Sequence, residues 1–224
     1  MTAGGEALVL QHEADTPPGL LADWLERRRI SHRVVRLDLG EPVPAEPNGW
    51  RWLAILGSER SATDVRPTWV REEIELARTA VEAEVPVLGI CYGGQVLARA
   101  MGAEIDLSPP PMIGWHRIEP ECASAPDPGP WLHFNYEVFE FPDGTTPLAR
   151  SAQGAAAFRR GPHLGVQFHP EATVEIVEDW ARTDAARLTR LGIDPAAVAR
   201  ASDQRRSWAR TAAFELFDAW AEGL

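Results

Sequence analysis

Three side chains in this 224-residue sequence are of the types and in the settings that could carry out covalent chemistry together: Cys91, His169 and Glu171. Cys91 sits in Val85-Pro86-Val87-Leu88-Gly89-Ile90-Cys91-Tyr92-Gly93-Gly94-Gln95, which reads as a short buried strand, a tight turn and a helix over Gln95 to Met101 closed by Gly102. Gly89-x-Cys91-x-Gly93 has the form of a nucleophile elbow with a thiol in place of the usual hydroxyl. A strand that turns straight into a helix strains the central residue and leaves no room for side chains beside it, which accounts for the glycines. The thiol would then stand at a helix N-terminus, where free N–H groups and the helix dipole favour a thiolate and an oxyanion. The plain alternative is a structural Cys beside a capping glycine pair.

A second stretch, Gly165-Val166-Gln167-Phe168-His169-Pro170-Glu171, ends an apolar strand with an imidazole and a carboxylate two residues apart. A Cys nucleophile needs a base, and the base needs a partner that orients it and stabilises its charged form. Pro170 fixes its own φ between the two and so restricts their relative geometry. A solvated His and Glu at a strand end would explain this pair alone, but not its company with the elbow.

Together the two stretches resemble the signatures of the class I, triad-type glutamine amidotransferases, in particular the glutaminase domain of GMP synthase and its stand-alone relatives. The likeness runs from about Leu8 to Thr173. It implies a flavodoxin-like α/β fold over 1–224, with a helical C-terminal extension from about 173, and hydrolysis of the side-chain amide of glutamine through a Cys91 thioester. His169 would be the base and Glu171 its orienting partner. The resemblance also implies an oxyanion hole made by the backbone N–H groups of Ser58 and Tyr92, with Gly57 in the loop, and Gln95 holding the glutamyl backbone groups. Here Ser58-Glu59 replaces the second Gly and the Pro more usual in the family. His133-Phe134-Asn135-Tyr136-Glu137-Val138 resembles the segment bordering the glutamine pocket, so Asn135 and Tyr136 are expected to face substrate; the family's usual His is out of register unless His133 shifts.

The rest of the chain must position these groups. Ala7-Leu8-Val9-Leu10, Val34 to Leu37, and Trp52 to Leu56 read as strands; Leu20, Leu21, Trp24 and Leu25, and then Trp69 to Glu84 with Ile74, Ala77 and Val81 on one face, read as helices. This alternation predicts a mostly parallel sheet with helices on both faces and a site at the carboxyl ends of its strands. From Ser108 to Pro147 the pattern loosens into Pro-rich turns with short strands, Trp131 to Phe141 among them. After Glu171 it is helical: Val174, Val177, Ala181, Leu188 and Leu191 form one stripe, and Asp194-Pro195 starts a new helix. Trp208, Ala212, Leu216 and Trp220 recur four residues apart, on a helix that either packs on the sheet or faces a partner.

Composition narrows the function. A net charge of −11 argues against nucleic-acid or anionic-membrane surfaces, and the absence of Lys removes Schiff-base chemistry. No 18-residue apolar run or basic-then-apolar leader is present, so neither a membrane span nor a signal peptide is expected. The two cysteines, Cys91 and Cys122, lie in dissimilar settings, which suits a reduced, cytoplasmic protein. No phosphate-loop or zinc-type spacing occurs, so no cofactor or metal is expected and any synthase that uses the ammonia would be a separate protein. Two rivals share these features: a γ-glutamyl hydrolase acting on conjugates, and a binding or regulatory protein without turnover.

Overall fold

The computed structural model describes residues 5–224; Met1 to Gly4, the start of the expected 1–224 span, lie outside the described residues. The first part of the chain runs β1 (Ala7–Gln11), α1 (Gly19–Arg28), β2 (His32–Arg36), β3 (Leu53–Ile55), α2 (Thr68–Glu82), β4 (Val87–Ile90) and α3 (Tyr92–Ala100). It continues with β5 (Ile105–His116), β6 (Glu119–Pro120), β7 (Trp131–Phe139), β8 (Thr146–Ser151), β9 (Gly154–Arg160) and β10 (His163–Val166), and ends in α4 (Val174–Thr183), α5 (Ala185–Arg190), α6 (Pro195–Asp203) and α7 (Arg206–Ala221).

Eight strands form one sheet in the order β2-β1-β3-β4-β10-β9-β8-β6. Neighbours from β2 to β10 pair in parallel, and β9, β8 and β6 extend the sheet antiparallel. Because both faces are covered, β1 is buried at every position, the reason it reads as an unbroken apolar run. Its side chains still alternate. Ala7 and Val9 join a core with Trp24 of α1 and Phe217 and Trp220 of α7, while Leu8 and Leu10 join one with Leu76 of α2 and Val96 and Leu97 of α3. The result is a flavodoxin-like α/β sandwich. No helix of the described residues is long and apolar enough to cross a membrane.

Several expectations change. The expected Pro-rich turns after Ser108 are instead part of a long antiparallel ribbon of β5 with β7, and the proline run falls in a register shift between Leu107 and Met112. Prolines lack ladder donors and are tolerated in such irregularities, which hid the strand. In α2 the buried face is Val70, Glu73, Leu76, Ala77 and Ala80, with Ile74 and Val81 at its margin. Ala77 is buried as expected, and the face also takes in a carboxylate, Glu73. Helix α3 begins at Tyr92, not Gln95, because Gly93 and Gly94 form its first turn. The single stripe from Val174 to Leu191 is broken at Asp184 between α4 and α5, leaving Leu191 exposed.

Helix α7 lies on the sheet, the packed reading of its aromatic spacing. Trp24 donates its indole N–H to Asp218 at 2.6 Å, Trp220 donates to the Pro162 carbonyl at 2.9 Å, and the Trp220 ring meets Trp52 edge-on at 5.2 Å. Trp220→Ala is expected to cost ~3–5 kcal/mol in urea unfolding, the range for truncating a buried aromatic; a loss below ~1 kcal/mol would show that α7 is not part of the core.

Candidate active site

Cys91 follows β4 and precedes α3 with φ 51° and ψ −107°, a left-handed backbone that a side chain rarely adopts. The crowding around it explains why. A Cβ on Gly93 would stand 1.9 Å from the Ile55 carbonyl oxygen, and one on Gly89 would stand 2.3 Å from that of Gly93. The Cys91 N–H donates to Val166 O at 2.8 Å and the Gly93 N–H to Leu56 O at 3.2 Å, so the turn is tied to the strands on either side. The thiol is nearly buried at the N-terminus of α3.

His169 stands just beyond β10, the parallel neighbour of β4. Its N–H donates to Leu132 O at 2.8 Å, and its ring meets Trp180 edge-on at 4.7 Å. Nδ1 lies 2.7 Å from Glu171 Oε1; a carboxylate can only accept, so this nitrogen carries the hydrogen. His169 and Cys91 line the same cavity. Burial opposes charging the ring, but Glu171 and the Cys91 sulfur together outweigh it and raise the pKa to about 10. Glu171 is itself buried. Its main-chain carbonyl accepts the Leu20 N–H at 2.8 Å, an approach that Gly19 permits because a Cβ there would sit 2.2 Å from that oxygen.

Gly57 and Ser58 follow β3 on the other side of β4 and line the same cavity with Tyr92. The N–H groups of Ser58 and Tyr92 have no acceptor among the described residues. The Ser58 hydroxyl instead donates to Glu13 Oε1 at 2.8 Å and accepts the Arg60 N–H at 3.0 Å. These contacts tie the turn after β3 to Glu13 and Arg60. Burial raises the pKa of Glu13, against the lowering effect of His12.

The cavity holds about 330 Å³ and is also lined by Gln95, Asn135 and Tyr136. The Gln95 amide donates to Glu137 O at 3.3 Å and to Gln167 Oε1 at 3.4 Å, and the Gln167 amide reaches Cys91 Sγ at 3.6 Å. Asn135 donates to Glu137 O at 3.1 Å. His133 does not shift into the cavity: it is fully buried, burial with His116 nearby lowers its pKa to about 3, and Nδ1 faces Asn135 Oδ1 at 3.4 Å. Cys122 lies outside the cavity, half-buried, with Ser124 Oγ at 3.3 Å.

Sequence reasoning missed the wall formed by Trp180, Thr183, Asp184 and Arg187. Tyr136 donates its hydroxyl to Asp184 at 2.7 Å, and the Arg187 guanidinium stacks 3.2 Å above the Tyr136 ring. Only the break at Asp184 turns these polar side chains of a nominal surface helix toward the site. The Gln167 contact was visible as a residue of the second motif but had no assigned role.

A thiol at a strained strand–helix turn, beside a buried imidazole–carboxylate pair at the carboxyl edge of a parallel sheet, sets a nucleophile-type side chain next to a base-type one where open α/β sheets gather their sites. Residues 61–178 match the family model for glutamine amidotransferase class-I, and the chain belongs to that family. It is 29% identical over 181 residues to the glutamine amidotransferase-like protein YfeJ of Salmonella typhimurium, covering 75% of this chain and 76% of that one. It is 38% identical over 95 residues to one of the subunits of the glutamine-hydrolyzing GMP synthase of Ignicoccus hospitalis, a match spanning 38% of this chain and half, 50%, of that protein. Among solved structures, a glutamine amidotransferase from Methylobacillus flagellatus superposes with TM-score 0.89 at 31% identity, covering 98% of this chain and 95% of the other.

The raised pKa of His169 has a consequence for stability. The folded chain holds this proton more tightly than the unfolded one, so the contribution is full below about pH 6.5 and is lost as pH rises toward about 10. The stability difference between wild type and His169→Gln, from urea unfolding at a series of pH values, should shift in the variant's favour across that interval. A gap independent of pH would contradict the charged pairing.

Proposed function

We propose that this chain hydrolyses the side-chain amide of glutamine through a γ-glutamyl thioester on Cys91 and releases ammonia for a separate synthase. The observation that carries this reading is the strained Cys91 at the head of α3, sharing one cavity with His169, whose ring pairs with Glu171 at 2.7 Å. His169, charged in the resting site, already holds the thiol proton when Cys91 Sγ attacks the amide carbon, and Glu171 keeps the ring oriented and supports its charge. The carbonyl oxygen becomes an oxyanion held by the N–H groups of Ser58 and Tyr92; losing one such donor typically costs ~3 kcal/mol of transition-state stabilisation. His169 gives its proton to the departing nitrogen, and ammonia leaves. Water then loses a proton to His169 and attacks the thioester, whose C–S bond breaks to give glutamate and the free Cys91 sulfur beside the recharged His169.

The glutamyl end of the substrate carries both charges of an amino acid. Gln95, Asn135 and Tyr136 provide amide and ring contacts on that side, and Asp184 and Arg187 offer a carboxylate for the α-ammonium and a guanidinium for the α-carboxylate. A cavity of about 330 Å³ is near the small end of ligand sites, which favours a free amino acid over a bulky conjugate. The separate synthase is supported by the relative that is named as one subunit of GMP synthase. A reducing compartment such as the cytoplasm suits two unpaired cysteines.

Ammonia release from glutamine, assayed beside a panel of γ-glutamyl amides, tests the reading. Turnover of glutamine is expected, slow without a synthase; turnover of conjugates with none of glutamine would leave only a γ-glutamyl hydrolase, and no turnover of either would leave a binding or regulatory protein. Cys91→Ala should lose ~10⁴-fold or more, with an electrophilic glutamine analogue labelling Cys91 and not Cys122. Glu171→Gln should lose less than His169→Ala, since the base moves the proton and its partner only orients it; the reverse ranking would exchange their roles. Arg187→Ala should raise KM roughly 10-fold or more with kcat nearly kept, the signature of a contact made equally to substrate and transition state. An unchanged KM would remove Arg187 from substrate binding.

A further inference from the structure

His12 follows directly on β1 and is almost wholly buried, yet the steps above do not use it. Both ring nitrogens face oxygens: Nδ1 lies 2.9 Å from the Gly57 carbonyl, which can only accept, and Nε2 lies 2.8 Å from Glu73 Oε1, which accepts when Glu73 is a carboxylate. Against an ionised Glu73 the two contacts require two N–H donors, so the ring that pairs with the carboxylate is the imidazolium. Its counter-ion, Glu73, has no exposed side-chain surface and accepts with its other oxygen from the Tyr92 hydroxyl at 2.9 Å. The rings of Trp69 and Tyr92, at 5.3 Å and 4.9 Å, exclude water from the pair.

The two ends of this chain of contacts are the two places where the oxyanion donors arise. Gly57 C=O and Ser58 N–H belong to one planar trans peptide and point in opposite directions. A donor that fixes the carbonyl inward therefore aims the N–H outward, toward the cavity. Glu73, through the Tyr92 hydroxyl, anchors the residue whose N–H is the second donor.

We propose that His12, held as an imidazolium by Glu73, is a positioning residue of the oxyanion hole: it orients and polarises the Gly57–Ser58 peptide and couples it to Tyr92 at the head of α3. This rests on the catalytic reading above. A buried ion pair serving only as packing could be replaced by apolar groups at little cost, but apolar groups would give the Gly57 carbonyl no donor. A positive charge at the carbonyl also draws electron density from the peptide and strengthens the Ser58 N–H as a donor, an effect that a dry setting enlarges. Burial works against the charge; Glu73 first and then Glu13 outweigh it, and the pKa of His12 is raised. The other groups facing the ring are Tyr92 from α3 and Trp69 from α2, neither of them a competing cation.

Two measurements decide it. Nitrogen-15 NMR of the wild-type full chain labelled in histidine should show both His12 ring nitrogens protonated at pH ~7.5, where an ordinary histidine is mostly neutral; a neutral His12 ring would overturn the proposal, whether or not any variant folds. His12→Gln and Glu73→Gln should each lower kcat for glutamine, roughly 10- to 10²-fold on the scale of a misaligned oxyanion donor, with KM little changed. The rate at which iodoacetamide alkylates Cys91 should stay near wild type, because that displacement uses the thiol and His169 but no oxyanion. An unchanged kcat, or kcat and alkylation falling together, would make the pair merely structural. If wild type hydrolyses neither glutamine nor any other γ-glutamyl amide, the catalytic reading fails instead, and the NMR result still reports on His12.

Discussion

The rest of the molecule depends on how closely α3 approaches the sheet. At Gly93 the helix backbone comes so near Ile55 that no side chain fits, and Gly94 stands similarly against Val166, where a Cβ would be 2.6 Å from the carbonyl oxygen. This closeness leaves Cys91 no ordinary route from strand to helix and holds it at φ 51°. Such a backbone costs ~1–3 kcal/mol and persists only where its surroundings impose it. Here they do: hydrogen bonds to Val166 O and Leu56 O clamp the turn, and the cores on both faces of the sheet fix the strands that carry those oxygens.

Parallel pairing then brings the other parts into place. β3, β4 and β10 are successive neighbours, with Ile55 opposite Gly89 and Ile90 opposite Val166. The residues that follow each strand therefore emerge side by side at the carboxyl edge, Gly57-Ser58 after β3, Cys91 after β4 and His169 after β10, where open α/β sheets gather their sites. β1, on the far side of β3 with Leu10 opposite Ile55, delivers His12 beneath the Gly57 carbonyl. The site is thus assembled from four adjacent strand ends, and the sheet's register is also its ruler.

What the sequence made legible was local. The glycines around Cys91, the His169-Pro170-Glu171 spacing and the apolar strand runs each encode their geometry within a few residues, and the parallel α/β architecture follows from their alternation. What it hid depended on distance along the chain. Glu73 on α2 looks like solvent-facing charge until His12 and Tyr92, 61 and 19 residues away in sequence, are seen to meet it. Asp184 and Arg187 belong to the cavity only because α4 and α5 part at Asp184. The β5 strand was masked by prolines that a register shift accommodates, and it is this ribbon that holds Asn135 and Tyr136 at the cavity wall.

The proposed chemistry turns on a covalent intermediate at one thiol. The most direct measurement is rapid acid quench of the chain during turnover of glutamine, followed by intact-mass and peptide mapping. A glutamyl group attached through an acid-stable, hydroxylamine-sensitive bond to Cys91, and enriched in Glu171→Gln if deacylation is slowed, is the predicted result. Ammonia release from glutamine with Cys91 unmodified throughout, or a glutamyl adduct on Cys122 in its place, would contradict it.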